Sequence, residues 1–242
     1  MSARGGVARW IFRLAAIAAG AAIAVAAYEV WTWPDVGALA RRPPATTAFI
    51  ERYRQEQRGR GRRDRVEWRW VRYAAIAPSL KRAVLVAEDI NFFSHGGFDF
   101  AELEMALREA MEDGERPRGA STISQQLAKN LWLSPSRNPY RKLKETLLTW
   151  QLERRLGKRR ILELYLNVVE LGSGIFGAEA ASRHYFGKAA ADLTDAEAAG
   201  LAASLPNPAA WHPGASSQAY RRRAATVLRR MGKAVFPAAL LH

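Results

Sequence analysis

The stretch "LAAIAAGAAIAVAAY", residues 14–28, carries no charge, and it limits the folding of this chain more than any other feature. Trp10, Ile11 and Phe12 precede Arg13, and Val30, Trp31 and Trp33 follow Glu29. With them the apolar reach approaches the roughly 20 residues that cross a bilayer. Arg13 and Glu29 can snorkel toward the headgroups, and Trp10, Trp31 and Trp33 fall where an aromatic belt would. Arg4, Arg9 and Arg13 lead the segment with no acid among them. The positive-inside rule then puts the N-terminus in the cytoplasm and the bulk of the chain outside. Two alternatives stand beside a retained anchor. Ala24-Val25-Ala26 has the small-residue pattern of a signal-peptide cleavage site. A buried soluble helix is the lesser alternative, since the segment is nearly apolar all round.

The 242 residues suffice for one good-sized domain plus an appendage. The net charge of +14 calls for a polyanionic partner, whether nucleic acid, an acidic membrane surface or a phosphate-bearing substrate. No cysteine is present, which excludes disulfides, thiolate catalysis and cysteine zinc sites. Four histidines in all argue against a His-only metal cage. Residues 34–47 hold Pro34, Pro43 and Pro44 and read as an exit linker, and residues 41–72 then carry eleven Arg, no Lys and four acids. The run "RGRGRRDR" is expected to be solvated and mobile. Attraction to anionic headgroups explains it; nucleic-acid binding is the sharper alternative, disfavoured because the topology puts the run on the non-cytoplasmic side.

From about residue 76 the pattern is helical. Pro78-Ser79 opens a segment with Leu80, Val84, Leu85 and Ala87 on its apolar side. Asp99 with Glu102, Thr122 with Gln125 and Thr194 with Glu197 have capping-box spacing, each ahead of a helical run. Residues 113–119 and 134–139 read as loops, and residues 140–156 as a basic amphipathic helix closed by Gly157. Gly172, Gly174 and Gly177 make a flexible turn, and residues 218–232 form a last helix with five arginines off its apolar face. No strand alternation, repeat or heptad is evident. The expected fold is mainly α.

Three clusters could carry chemistry. Glu88 and Asp89 end an apolar helix, where the dipole disfavours acids; they are either a solvated helix end or a carboxylate held in a half-apolar cleft. His95 before Gly-Gly is a structural hydrogen-bonding residue or a base, and Phe92 and Phe93 are core or cleft wall. Thr122, Gln126 and Lys129 stand at i, i+4 and i+7 of a helix that starts near Thr122, so a hydroxyl, an amide and an ammonium share one face. That face is an anion site beside a helix N-terminus, or an ordinary cap with a polar solvent side. Arg141 and Glu145, at i and i+4, are a surface ion pair, or a second carboxylate kept ionised by cations with Arg141 free to grip phosphate.

Taken together the clusters resemble the family-51 glycosyltransferases, the peptidoglycan glycosyltransferases that polymerise lipid II. Glu88-Asp89-x-x-Phe92-x-x-His95-x-Gly97-Phe98-Asp99 matches the family's first motif. Gly119-x-Ser121-Thr122-Ile123-x-Gln125-Gln126-x-x-Lys129-Asn130 matches the second, and Arg141-Lys142-x-x-Glu145 the third. "ILELYLNVVELGSGIFGAEAASRHYFGK" resembles the fourth and fifth, and the resemblance spans roughly residues 76–236. The transpeptidase signatures S-x-x-K and K-T-G do not occur, so the chain is similar to the monofunctional, membrane-anchored members.

The resemblance implies a lysozyme-like, two-lobed, mainly α domain over residues 76–236. The rest divides into a cytoplasmic tip and transmembrane anchor (1–33), a basic juxtamembrane linker (34–75) and a tail (237–242). It implies Glu88 as general base, Glu145 as the second essential carboxylate, and Lys129 and Arg141 on the leaving diphosphate, supported by Thr122, Gln126 and Asn130. Asp89, Phe92 and His95 shape the substrate site. A Mg²⁺ or Mn²⁺ bridging the diphosphate fits this chemistry, with ligands the sequence does not identify; no organic cofactor is expected. The implied partners are lipid II, the growing glycan strand, the membrane, and other cell-wall synthesis and division proteins, but not nucleic acid. The implied location is the bacterial inner membrane, single-pass, with the catalytic domain periplasmic. The rivals are a muramidase or lytic transglycosylase on a related fold, which cleaves glycan and needs no diphosphate grip, and a catalytically dead membrane scaffold.

Overall fold

The computed structural model describes residues 3–114, 121–136 and 138–242. The chain divides into two units, residues 1–35 and 36–242. The first is built on one helix, α1 (Ala3–Trp31). It is long and apolar enough to cross a membrane, at about 44 Å for 1.5 Å per residue. Trp10, Phe12, Ile17, Ile23, Val30 and Trp31 are all exposed on it, so it has no apolar-in, polar-out division.

The second unit is mainly helical, as expected. After a 3₁₀ turn at Val36–Ala40 come α2 (Ala48–Gly59), strand β1 (Glu67–Trp68), α3 (Pro78–Glu88), α4 (Phe100–Asp113), α5 (Ile123–Trp132), α6 (Pro139–Arg155) and α7 (Lys158–Val168). Strands β2 (Glu170–Gly172) and β3 (Ile175–Phe176) lead into α8 (Ala178–Phe186), α9 (Asp195–Ser204), α10 (Gln218–Lys233) and α11 (Ala238–Leu241). Every residue of α9 from Ala198 to Ser204 is buried, and α3 and α10 pack on it, while α5 packs against α6 and α7. The capping predictions hold: Thr122 and Thr194 form complete capping boxes with Gln125 and Glu197, and Asp99 accepts from Glu102 N–H. The loop expected at 113–119 lies almost wholly outside the described residues, as does Gly119 of the second motif.

Three expectations are corrected. Residues 36–75 are not a linker: Thr47 caps α2, Ile50 is fully buried, and β1 pairs parallel to β3. The supposed flexible glycine turn is the antiparallel β2–β3 hairpin, in a three-stranded sheet of order β1-β3-β2. Strands of two or three residues are too short to show alternation. The 237–242 tail is folded as well. Leu241 is buried, Tyr73 Oη donates to Leu240 O at 2.5 Å, and the fully buried Lys81 of α3 donates to Leu241 O at 2.6 Å. Burial first, then the neighbouring Arg159, lowers the Lys81 ammonium to a pKa of about 8, against an opposing pull from Glu163.

Gly177, between β3 and α8, has φ +82°, and a Cβ there would stand 2.4 Å from the Asn167 carbonyl oxygen. Asn167 in turn bonds both Val71 N–H and Val71 O, so neither neighbour can withdraw cheaply. Gly177→Ala is expected to destabilise the domain by more than about 1 kcal/mol, read as a lowered melting temperature by circular dichroism in detergent.

Candidate functional site

Three elements converge on Glu88. Pro78 fits the first turn of α3, where its missing N–H costs no hydrogen bond. The buried side chains Leu80, Ala83, Val84, Leu85 and Val86 fix the helix, so that Glu88 emerges at its C-terminal end. Its Oε2 accepts from Gln126 Nε2 of α5 at 3.0 Å, and its Oε1 from Arg223 Nη2 of α10 at 3.1 Å. Tyr165 of α7, fully buried, donates its hydroxyl to Gln126 Oε1 at 2.9 Å. That bond fixes which end of the Gln126 amide faces Glu88. The Glu88 side chain keeps 14% of its surface exposed. Burial raises its pKa above the ordinary carboxylate value, while Gln126, Arg223 and Lys129 pull it down.

Asp89 is turned the other way, and buried. Its Oδ2 accepts from Ile123 N–H at 2.9 Å, at the positive end of α5, and its Oδ1 faces His95 Nε2 at 2.9 Å. His95 Nδ1 accepts from Gly97 N–H at 3.1 Å, which fits the neutral Nε2–H tautomer donating to Asp89. Thr122 Oγ1 donates to Gly97 O at 2.7 Å, closing a loop between the first and second clusters. Gly97 has φ +95°, and a Cβ on it would meet Glu153 and Thr149 of α6 at 2.9 Å. The His-Gly-Gly sequence is therefore a tight crossing under α6.

Lys129 and Asn130 follow Gln126 along α5. Lys129 is half-buried, its Nζ 6.0 Å from the Phe49 ring centroid. Burial lowers its pKa, helped by Arg141 and Lys142 and opposed by Glu145 and Glu88. It thus lies within the electrostatic reach of both carboxylates. In α6, Asn138 caps the helix by accepting from Arg141 N–H at 2.6 Å. Glu145 is buried, with Arg141 Nη1 on Oε2 and Lys142 Nζ on Oε1, both at 2.5 Å. This is a desolvated pair with a third partner, unlike an exposed i,i+4 bridge. Arg141 Nε is buried without a hydrogen-bond partner.

A cleft of about 430 Å³ opens beside Glu88, lined by Asp89, Asn91, Asp99, Ser121, Thr122 and Arg230 among others. Lys129, Arg141 and Glu145 do not line it. Several predicted site residues support the site from behind. Phe92 is fully buried, with Lys158 Nζ 4.4 Å from its ring centroid, so it backs the wall and offers no surface to a ligand. Asn130 is buried too, whereas Thr122, although buried as a cap, still lines the cleft.

Asp89, His95 and Asp99 bring donor atoms within 4.8 Å of one another. Each is already engaged: Asp89 and His95 as above, and Asp99 by Glu102 N–H and Asn91 Nδ2, both at 2.9 Å. Glu145 has both oxygens on cations. Two carboxylates and an imidazole are a donor set of the kind that takes a divalent ion, engaged here as hydrogen-bonded supports.

Sequence reading missed Arg223 and Tyr165. Arg223 looked like any arginine of the α10 solvent face, and its partner lies 135 residues away. No local spacing marks it.

Residues 55–232 match the family model described as Transglycosylase. The chain is 42% identical over 229 residues to a biosynthetic peptidoglycan transglycosylase of Thiobacillus denitrificans, covering 95% of this chain and 97% of that protein. It is 41% identical over 217 residues to the protein of the same name from Methylobacillus flagellatus, covering 90% and 95%. The likeness to that of Neisseria gonorrhoeae is 45% over 194 residues, covering 80% and 83%.

Because Arg223 lowers the Glu88 pKa against burial, Arg223→Gln is expected to raise it further. Carbon-13 NMR of labelled glutamate carboxyls reads this directly; a Glu88 titration that stays in place removes Arg223 from that role.

Proposed function

The chain belongs to the transglycosylase family, and on that premise we propose that it polymerises lipid II. The product is a β-1,4-linked glycan strand, formed by inverting glycosyl transfer with release of undecaprenyl diphosphate. In this reading Glu88 takes the proton of the acceptor GlcNAc 4-hydroxyl as that oxygen attacks the donor C1. The bond from C1 to the diphosphate oxygen breaks, and its electron pair departs on the diphosphate. A sugar hydroxyl is too weak an acid to attack unaided at neutral pH, and a positioned base contributes about 10²- to 10⁴-fold.

One observation carries the reading: a half-buried carboxylate with a raised pKa borders an open cleft and shares the field of Lys129 with a second, cation-bound carboxylate. Lys129 and Arg141 offset the charge that develops on the leaving diphosphate. The Nε of Arg141 is buried without a hydrogen-bond partner, a spare donor that meets a phosphate oxygen only once the side chain turns toward the cleft. Glu145 holds Arg141 and Lys142 in place. The side chains supply part of the counter-charge, and a Mg²⁺ or Mn²⁺ bridging the diphosphate would supply more. Asp89 and His95 act as supports.

α1 is the anchor in this reading, with the N-terminus cytoplasmic and residues 36–242 periplasmic. The exposed Phe100, Leu103, Met105, Leu107 and Met111 of α4 suit contact with the bilayer that holds the substrate. Tethering enzyme and substrate to one surface raises their effective concentration.

Glu88→Gln is expected to lower polymerisation of labelled lipid II at least about 100-fold while lipid II binding persists; unchanged turnover removes Glu88 from its role. Cleavage of intact sacculi with lipid II untouched would favour a lytic enzyme. Lys129→Ala is expected to lower kcat and weaken lipid II binding together. The pH profile has a definite sign. The base works ionised, so turnover falls as pH drops through the raised Glu88 pKa; the cation works protonated, so turnover falls again as pH rises through the lowered Lys129 pKa. Turnover against pH in detergent tests both limbs.

A further inference from the structure

A second cleft, of about 660 Å³, lies apart from Glu88 and shares no lining residue with the first. Arg41, Trp70, Arg72, Tyr73, Arg159 and Arg160 form its walls, with Glu163 as its one carboxylate side chain. Glu163 is taken by Arg160. The Arg160 Nε also donates to Leu39 O at 2.7 Å, and its guanidinium lies 5.4 Å from the Trp70 ring centroid. Arg159 lies 5.1 Å from the Tyr73 ring centroid, and the buried Lys81 ammonium 3.9 Å from that same ring.

The electrostatics are lopsided. Lys81 is fully buried with a carbonyl and a ring as its contacts, and no carboxylate pairs with it among the described residues. Arg159 repels it, which helps lower its pKa. Arg41, Arg72 and Arg159 are exposed and form no ion pair among the described residues. Among side chains a single Glu163 carboxylate thus stands against four guanidinium groups and a buried ammonium, with the last residue, His242, also on the cleft wall. An anion in the cleft would relieve that repulsion, and planar guanidinium forks suit phosphate oxygens. Trp70 and Tyr73 add the amphipathic rings found at membrane surfaces. Arg41 follows the last residue of α1 by ten positions in the chain, which ties the cleft by a short segment to the apolar helix.

We propose that this cleft binds the phosphodiester headgroup of an anionic phospholipid. The lipid source rests on reading α1 as a bilayer anchor; the binding chemistry of the cleft does not.

The test uses the full chain in neutral detergent, titrated separately with dihexanoyl-phosphatidylglycerol, dihexanoyl-phosphatidylcholine and inorganic phosphate. Native mass spectrometry reads the adduct and thermal unfolding reads the stabilisation. Saturable binding of the phosphatidylglycerol alone is expected, weakened about 10- to 30-fold by Arg72→Gln with Arg159→Gln, at roughly 1 kcal/mol per arginine. Arg41→Gln with Arg72→Gln, which leaves the Tyr73 stack intact, should weaken it to a similar degree. Lipid II turnover in detergent should stay at the wild-type rate in both variants. Equal binding of phosphatidylcholine or of free phosphate overturns the assignment. So does loss of the adduct in Lys129→Ala with retention in the arginine variants, which would place the lipid at the first site. Carbonate extraction of membranes reports on the anchor separately.

Discussion

The geometry around Glu88 depends on the buried carboxylate of Asp89. One oxygen holds the first N–H of α5 and the other holds His95, so one group joins the end of α3, the crossing at Gly97 and the start of α5. A carboxylate at a helix N-terminus is favoured by the dipole and by unsatisfied N–H groups. Its neighbour Glu88 has the reverse situation, at the C-terminal end of a helix with little solvent. Two adjacent acids in one tight turn therefore have opposite settings: one is satisfied internally and fixes the frame, the other borders the cleft with its pKa raised by burial.

The two central charges are shifted toward each other. Burial raises Glu88 and lowers Lys129. Each carries counter-charges that limit the shift, Arg223 on Glu88 and Glu145 on Lys129. A base works best when its pKa lies near the working pH, and a buried cation is strongest when little water screens it. The same desolvation serves both. It also explains why Glu145 is so fully paired: a buried carboxylate without Arg141 and Lys142 would be costly and would compete for Lys129.

What was legible in the sequence was local. The caps at Asp99, Thr122 and Thr194 each depend on a partner three residues on, and all three formed. Pro78 marked the start of α3. The candidate residues Glu88, Gln126, Lys129, Arg141 and Glu145 fell on faces that helical spacing could place. What was not legible depends on distant chain. Arg223 and Tyr165 reach the site through α10 and α7, whose own patterns show amphipathic helices and nothing more. Residues 36–75 looked like a linker because arginine dominates their composition, yet a few positions, Thr47, Ile50 and Trp68, suffice to dock them. Lys81 drew no expectation at all, since no spacing rule announces a buried ammonium held by a carbonyl and a ring.

The tie between Asp89 and α5 is made to the backbone N–H of Ile123, with no side chain on the receiving end. Substitution scanning at position 123 is therefore blind to it: nineteen of the twenty residues supply the same donor, and only proline deletes it. The contact that holds the frame would register in such a survey at Asp89 alone, and position 123 would look like ordinary core.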